Sequence, residues 1–489
     1  MQQLSPMDAA FLYLENESTH AHGTLVWIYD ASECSSGAVT RKALIDHMAS
    51  RVSVSPVFTR KIHRLPLDFD YPYWVDDEGF ELLYHVRETL MPTGGNWADF
   101  CGLVADVHSQ PLDQDHPLWE MTLVPELNDI PGLPTRCFAI LGKFHHVAID
   151  GATGMDIITR IHDCPDAPEP KVNHSADRSA RKPGLREGLF RAAVRNVAAL
   201  DKTLELIGAK PRPVSEEGDS QPPAVEASSI DMPEDPAGIP QTMFNRGIGN
   251  ESAWDSRSFN LAEIKAMRKA VPGATVNDVL LAICGGGLRG YLAAIDELPD
   301  SPMKAGCPVN IRTAEEAGSG GNKISAIIVS MHTDIEDPLE RLAAITQSSA
   351  AAKYRASQRG SRKVLDLVSI VPAQAQALLG HAVGAATRQV NRAFQFNCSV
   401  SNLPGPQQNL HMLGGRLQTI GAAMPVMNGF GLFIGLTTCA GKLSISMSSS
   451  SNILPEPSQL GDAMEQAYGE LRQASKPRAA KRRRSRKPK

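Results

Sequence analysis

Residues 137–151, CFAILGKFHHVAIDG, decide how the chain is read. An apolar run of this length reads as a β-strand, and it ends in His145-His146 before Val147-Ala148-Ile149-Asp150-Gly151. A histidine titrates near neutrality, so at a strand end beside a cleft it can take a proton from a hydroxyl and later deliver it to a leaving thiolate. His145 and His146 are the candidates at this strand end, one for that role and one to support the turn. Asp150 can orient the turn or hold the imidazole tautomer. Gly151, without a Cβ, lets the turn fold tightly and lets substrate approach the backbone. The competing readings are a satisfied core histidine and a metal site, since imidazole and carboxylate suit zinc or iron. No His-rich or carboxylate-rich segment elsewhere supplies obvious further ligands.

Outward from this strand, residues 1–163 read as mixed α/β. HGTLVWIYD (22–30) and FELLYHV (80–86) are strand-like and RKALIDHMASRV (41–52) is helix-like. From 164 to 255 the composition turns to Pro, Ser and acid, as in PRPVSEEGDSQPPAVEASS, which marks a linker and a domain boundary. Within it, GLREGLFRAAVRNVAALDKTLELIG (184–208) has apolar residues at helical spacing with Arg186, Arg191 and Arg195 among them. This amphipathic helix either docks on the protein body or rests on a membrane or lipid droplet. Residues 256–475 form a second α/β unit. Asn260 with Glu263 and Thr275 with Asp278 stand at capping-box spacing, and strand-like runs follow in KAGCPVNIRT, KISAIIVSMHT, QFNCSVSNL, GFGLFIGLTTCAG and KLSISMS. Helices are expected near 337–357 and 362–390.

At 489 residues the chain exceeds what one core organises, so two domains are expected. Eight cysteines lie scattered without a C-x-x-C pair, which reads as reduced thiols in the cytoplasm. The N-terminus lacks a basic n-region, and no run of about 18 apolar residues occurs, so membrane contact is expected to be peripheral. The net charge of −5 hides an asymmetry: the last fourteen residues, KPRAAKRRRSRKPK, carry nine cations, and taking them away leaves −14. Such a tail, expected to be disordered, suits anionic lipid, nucleic acid or solubility alone. Gly285, Gly287 and Gly290 satisfy G-x-G-x-x-G but follow a helix-like run, so no dinucleotide site is assigned.

HHVAIDG matches the HHxxxDG signature of CoA-dependent acyltransferases. LSPMDAAFLYLE (4–15), HPLWEMTLV (116–124), TVNDVLLAICGGGLRGYL (275–292), PVNIR (308–312), GNKIS (321–325) and SNLPGP (401–406) resemble, in order, segments of bacterial wax ester synthase/diacylglycerol acyltransferases. The resemblance implies an α/β fold of two chloramphenicol-acetyltransferase-like domains with the active site in a channel between them. It implies transfer of a fatty acyl group from acyl-CoA to a long-chain alcohol or a diacylglycerol, with His146 as general base. It further suggests Asn277 as an oxyanion donor beside the capping Asp278, an Asp150–Arg312 pair that fixes the loop, and Pro117, Leu118 and Trp119 as a family segment that an ordinary packing role also explains. No cofactor beyond acyl-CoA as co-substrate and no specific nucleic acid are expected, and the protein is expected at the inner membrane or on lipid bodies. An activated thioester needs no covalent intermediate, and no G-x-S-x-G elbow is present. A more polar acceptor and a catalytically silent lipid-binding scaffold remain the alternatives.

Overall fold

The computed structural model describes residues 2–35, 37, 39–149, 151–165, 182, 184, 186–195, 238–310, 324–359, 373–378, 395–406 and 408–476. Asp150, Arg312, most of the linker and of the helix expected near 362–390, and the basic tail beyond Lys476 lie outside the described residues.

Two six-stranded sheets form the frame. The first runs, edge to edge, His411–Met412, Gly415–Ala423, His22–Asp30, Cys137–His145, Trp119–Val124 and Val86–Glu88. All its pairings are antiparallel except the last. Cys137–His145 is thus a central strand, and all nine of its residues are buried. Phe138, Ile140 and Phe144 point into one core with Trp27 and Trp119; Ala139 and Leu141 point into another with Val26, Phe100 and Trp254. Burial of both faces is why the sequence shows a continuous apolar run rather than alternation.

The second sheet runs Ile324–Ser330, Lys304–Asn310, Cys398–Leu403, Leu432–Cys439, Lys442–Ser450 and Ser252–Asn260. The Cys398–Leu403 strand pairs in parallel with both of its neighbours, and the other pairings are antiparallel. Over it lies the helix Val276–Ala294, packed on the helix Pro457–Ala474. Gly285 and Gly287 sit mid-helix, where a Cβ would press on the Met331 carbonyl and on Met464 respectively. Close packing, not phosphate binding, explains them.

Sheet membership does not follow chain order. Gly415–Ala423 comes from the second half of the sequence but pairs with His22–Asp30 in the first sheet. The sheets are also joined by side chains: the Trp254 indole N–H donates to Ala422 O at 3.1 Å, and Ser446 and Ser448 hydroxyls accept from the Ala422 and Met424 amides. One strand expectation fails: in FELLYHV, Leu82–His85 makes a single helical turn and only Val86–Glu88 is extended. The His85 ring stacks on Trp119 at 4.5 Å and its Nδ1 bonds Trp119 O, so tertiary packing overrides the local preference.

Both caps read from the sequence are present. The Asn260 side chain accepts from Ala262 and Glu263 amides, and Thr275 and Asp278 form a reciprocal capping box. All eight cysteines are free thiols. Among the described residues no helix is long and apolar enough to cross a membrane.

Candidate active site

The catalytic-strand candidate ends at His145, and the chain turns at once through His146, Val147 and Ala148. The turn is held from its backbone: His145 N donates to Leu118 O at 3.1 Å, His146 N to Ala21 O at 2.8 Å, and Ala148 N to His145 O at 2.9 Å. Gly151 then opens the helix Gly151–Ile161.

The two histidines differ in surroundings. His145 is buried. Its Nδ1 accepts the Val147 amide at 3.0 Å and its Nε2 lies 3.2 Å from Glu15 Oε1. His146 is half-buried, and Phe11 of the helix Pro6–Leu14 stacks on its ring at 5.4 Å. Burial, and then the neighbouring His145, push the His146 imidazole down to about 4. It is therefore neutral at physiological pH, the form that accepts a proton.

Behind the turn stands a polar layer. The His22 ring donates through Nε2 to His108 O at 2.8 Å, and Thr24 Oγ1 lies 3.0 Å from His108 Nδ1. Lys143 is fully buried; its ammonium donates to Gln110 O at 3.0 Å and lies 3.7 Å from Glu120. Burial lowers the Lys143 pKa and pushes His108 down to about 3. With His22 directly opposite His145 in the strand register, this layer backs the histidine turn with neutral imidazoles.

Pro117, Leu118 and Trp119 are buried beside the same strand end. Leu118 supplies the carbonyl for His145, and Trp119 pairs with Phe144 while donating its indole N–H to Phe58 O. They hold and pack the turn, the ordinary role weighed for them from sequence. Asn277 is half-buried in the first turn of Val276–Ala294, whereas Asp278 is buried and engaged in capping Thr275. Among the described residues no group of three or more His, Cys, Asp or Glu converges as a metal site. Phe11 and Glu15 both lie in LSPMDAAFLYLE (4–15), and their position in that segment is the signal the sequence carries for them.

Two mixed sheets joined by an exchanged strand, with a neutral imidazole at the end of a central strand, make up an α/β protein whose histidine is in the form that accepts a proton. The fold is similar to that of trichothecene 15-O-acetyltransferase from Fusarium sporotrichioides, with a TM-score of 0.55 at 11% identity over 97% of this chain and 94% of that one. The family model for the wax ester synthase/diacylglycerol acyltransferase catalytic domain matches residues 4–280, and that for the WS/DGAT C-terminal domain matches 320–472. The chain belongs to the wax ester synthase/diacylglycerol acyltransferase family of acyltransferase enzymes. It is similar to a solved wax ester synthase/diacylglycerol acyltransferase from Marinobacter aquaeolei VT8, with a TM-score of 0.66 at 25% identity over 97% of this chain and 100% of that one. A Mycobacterium tuberculosis protein named as a diacylglycerol O-acyltransferase is 30% identical, covering 83% of this chain and 84% of its own length. Another from that organism, named tgs2, is 27% identical over 97% and 99%.

Proposed function

We propose that the protein moves a fatty acyl group from acyl-CoA to the hydroxyl of a diacylglycerol or long-chain alcohol by direct attack, with His146 as the base. The observation that carries this is the neutral, half-buried His146 ring at the end of a central strand. His146 takes the hydroxyl proton as the oxygen attacks the thioester carbon. The new C–O bond leaves a tetrahedral oxyanion, whose collapse breaks the C–S bond, and the proton passes from the imidazolium to the departing CoA thiolate. A positioned imidazole is worth about 10² to 10⁴-fold for such a step. Every atom is accounted for by the two substrates, so no cofactor is invoked.

Asn277 supplies an oxyanion donor in this reading, through its amide or the helix N-terminus it occupies. In this reading the loop-fixing role falls to Asp150 and Arg312, both outside the described residues. The apolar acceptor reaches the protein at a lipid surface. Support comes from the short helix over 186–195. Gly188 lies against Leu65, while Arg195 pairs with Asp70 and sits over the Tyr71 ring at 4.6 Å. Phe190 and Val194 nevertheless stay 71% and 54% exposed. Docking and lipid contact are thus compatible in one amphipathic segment, and the basic tail adds attraction to anionic lipid.

The test is CoA-thiol release from palmitoyl-CoA with hexadecanol or dipalmitoylglycerol as acceptor, dispersed in anionic vesicles. Acceptor-dependent release that falls when Phe190 and Val194 are changed to Ser supports the reading and ranks the acceptors. Release only with polar hydroxyl compounds would overturn the acceptor class.

A further inference from the structure

We infer that Glu15 is a positioning residue that sets His146 through His145. This rests on His146 being the base. Glu15 closes the helix Pro6–Leu14, far in sequence from the histidine turn, yet its carboxylate is engaged on three sides. Oε1 accepts the Ala21 amide at 2.8 Å and lies 3.2 Å from His145 Nε2; Oε2 accepts from the Gln114 side-chain amide at 2.8 Å.

Each contact leads to the turn. Ala21, gripped through its N–H, gives its carbonyl to the His146 amide. His145 receives the Val147 amide on Nδ1, so its ring proton stands on Nε2, 3.2 Å from the Glu15 carboxylate. Val147 is the residue after the base. Glu15 therefore acts on the backbone before His146 and, through the His145 ring, on the backbone after it. Gln114, three residues before the Pro117-Leu118-Trp119 segment, ties this carboxylate to the loop that supplies Leu118 O to His145.

The side chain is only 17% exposed and His145 only 1%, so the contact is shielded from water. Burial would raise the Glu15 carboxyl, but the His145 contact and the Ala21 amide outweigh it and hold it below the ordinary carboxylate range. The carboxylate is thus ionised wherever the base is active. Phe11, one helical turn earlier, stacks on the His146 ring, so the helix that carries Glu15 also seats the base from its face.

The test is a pair of single variants and their combination, assayed with palmitoyl-CoA and the better acceptor. Glu15→Gln keeps the shape but loses the charge, and kcat should drop about tenfold, the difference between a charge-assisted and a neutral hydrogen bond. The KM for palmitoyl-CoA should stay unchanged. His145→Ala, which frees the turn, should lose about 10²-fold. Because Glu15 acts through His145, adding Glu15→Gln to His145→Ala should cause little further loss.

Losses that multiply in the double variant, or a Glu15→Gln enzyme with unaltered kcat, would overturn the inference. So would a raised KM with normal kcat. Should Glu15→Gln fail to fold, Gln114→Ala carries the same test, with a smaller fall in kcat at unchanged KM and no further fall once His145 is removed. Turnover that survives His146→Ala would instead overturn the role of the base, so the two failures are distinguishable.

Discussion

Changing pH separates this site from one built on an ordinary histidine. A base works only when unprotonated, so its acid limb is centred on its pKa. With His146 pushed down to about 4, roughly 97% of it is free base at pH 5.5, against roughly 9% for a solvent-exposed histidine near 6.5. Between pH 7.5 and 5.5, kcat/KM for palmitoyl-CoA should therefore stay within about twofold, whereas an ordinary histidine would lose about tenfold. Folding must be followed alongside. His22, His108 and His162 are also buried neutral, with His108 pushed down to about 3 and His162 to about 4. Folded values below the unfolded one make their stabilisation complete above pH 6.5 and diminishing as pH falls toward the folded values. At pH 5.5, His108 and His162 each forfeit about 1 kcal/mol on this basis. Initial rates after a rapid pH jump, with near-ultraviolet circular dichroism as the folding control, read the chemistry before unfolding intervenes. An acid limb centred at pH 6 to 7 in protein that stays folded would refute the assignment of a desolvated His146.

Trp254→Ala removes a buried ring that stands on the second sheet but packs under the first. It should cost about 3–5 kcal/mol by chemical denaturation; a cost under about 1 kcal/mol would mean that the sheets do not depend on this contact. Asn277→Ala should lower kcat by about 10²–10³ with little change in stability, and a kcat within a few-fold of wild type would remove it as oxyanion donor. Asp278→Ala should instead lower stability by about 1 kcal/mol through loss of the Thr275 capping box, readable as a lowered denaturation midpoint.

What was legible in the sequence was whatever local chemistry dictates. Cys137–His145 announced itself because burial on both faces leaves one apolar run, and the Asn260 and Thr275 caps because capping needs fixed residue types at fixed spacing. The histidine pair was legible for the same reason, with His145 closing that run and His146 following it. Gly415–Ala423 and Ser252–Asn260 were not, because GRLQTIGAA and SAWDSRSFN carry Gly, Gln, Ser and Asp at buried positions. Some of those polar groups meet partners distant in sequence, as when Ser256 meets Ser446 and Asp255 meets Trp97. Pairing of Gly415–Ala423 with His22–Asp30 is a tertiary choice that no short window contains. Glu15 stayed hidden likewise: a glutamate after a helix looks like a solvated charge until His145, Ala21 and Gln114 are brought to it.

The most direct measurement is acceptor-dependent CoA release from palmitoyl-CoA by wild-type protein and by a folded His146→Ala variant, with dipalmitoylglycerol and hexadecanol each tried as acceptor. Removal of the base should lower kcat by about 10²–10⁴-fold while leaving palmitoyl-CoA binding in place. Turnover that persists in His146→Ala at near wild-type rate would contradict a histidine-based acyl transfer at this strand end.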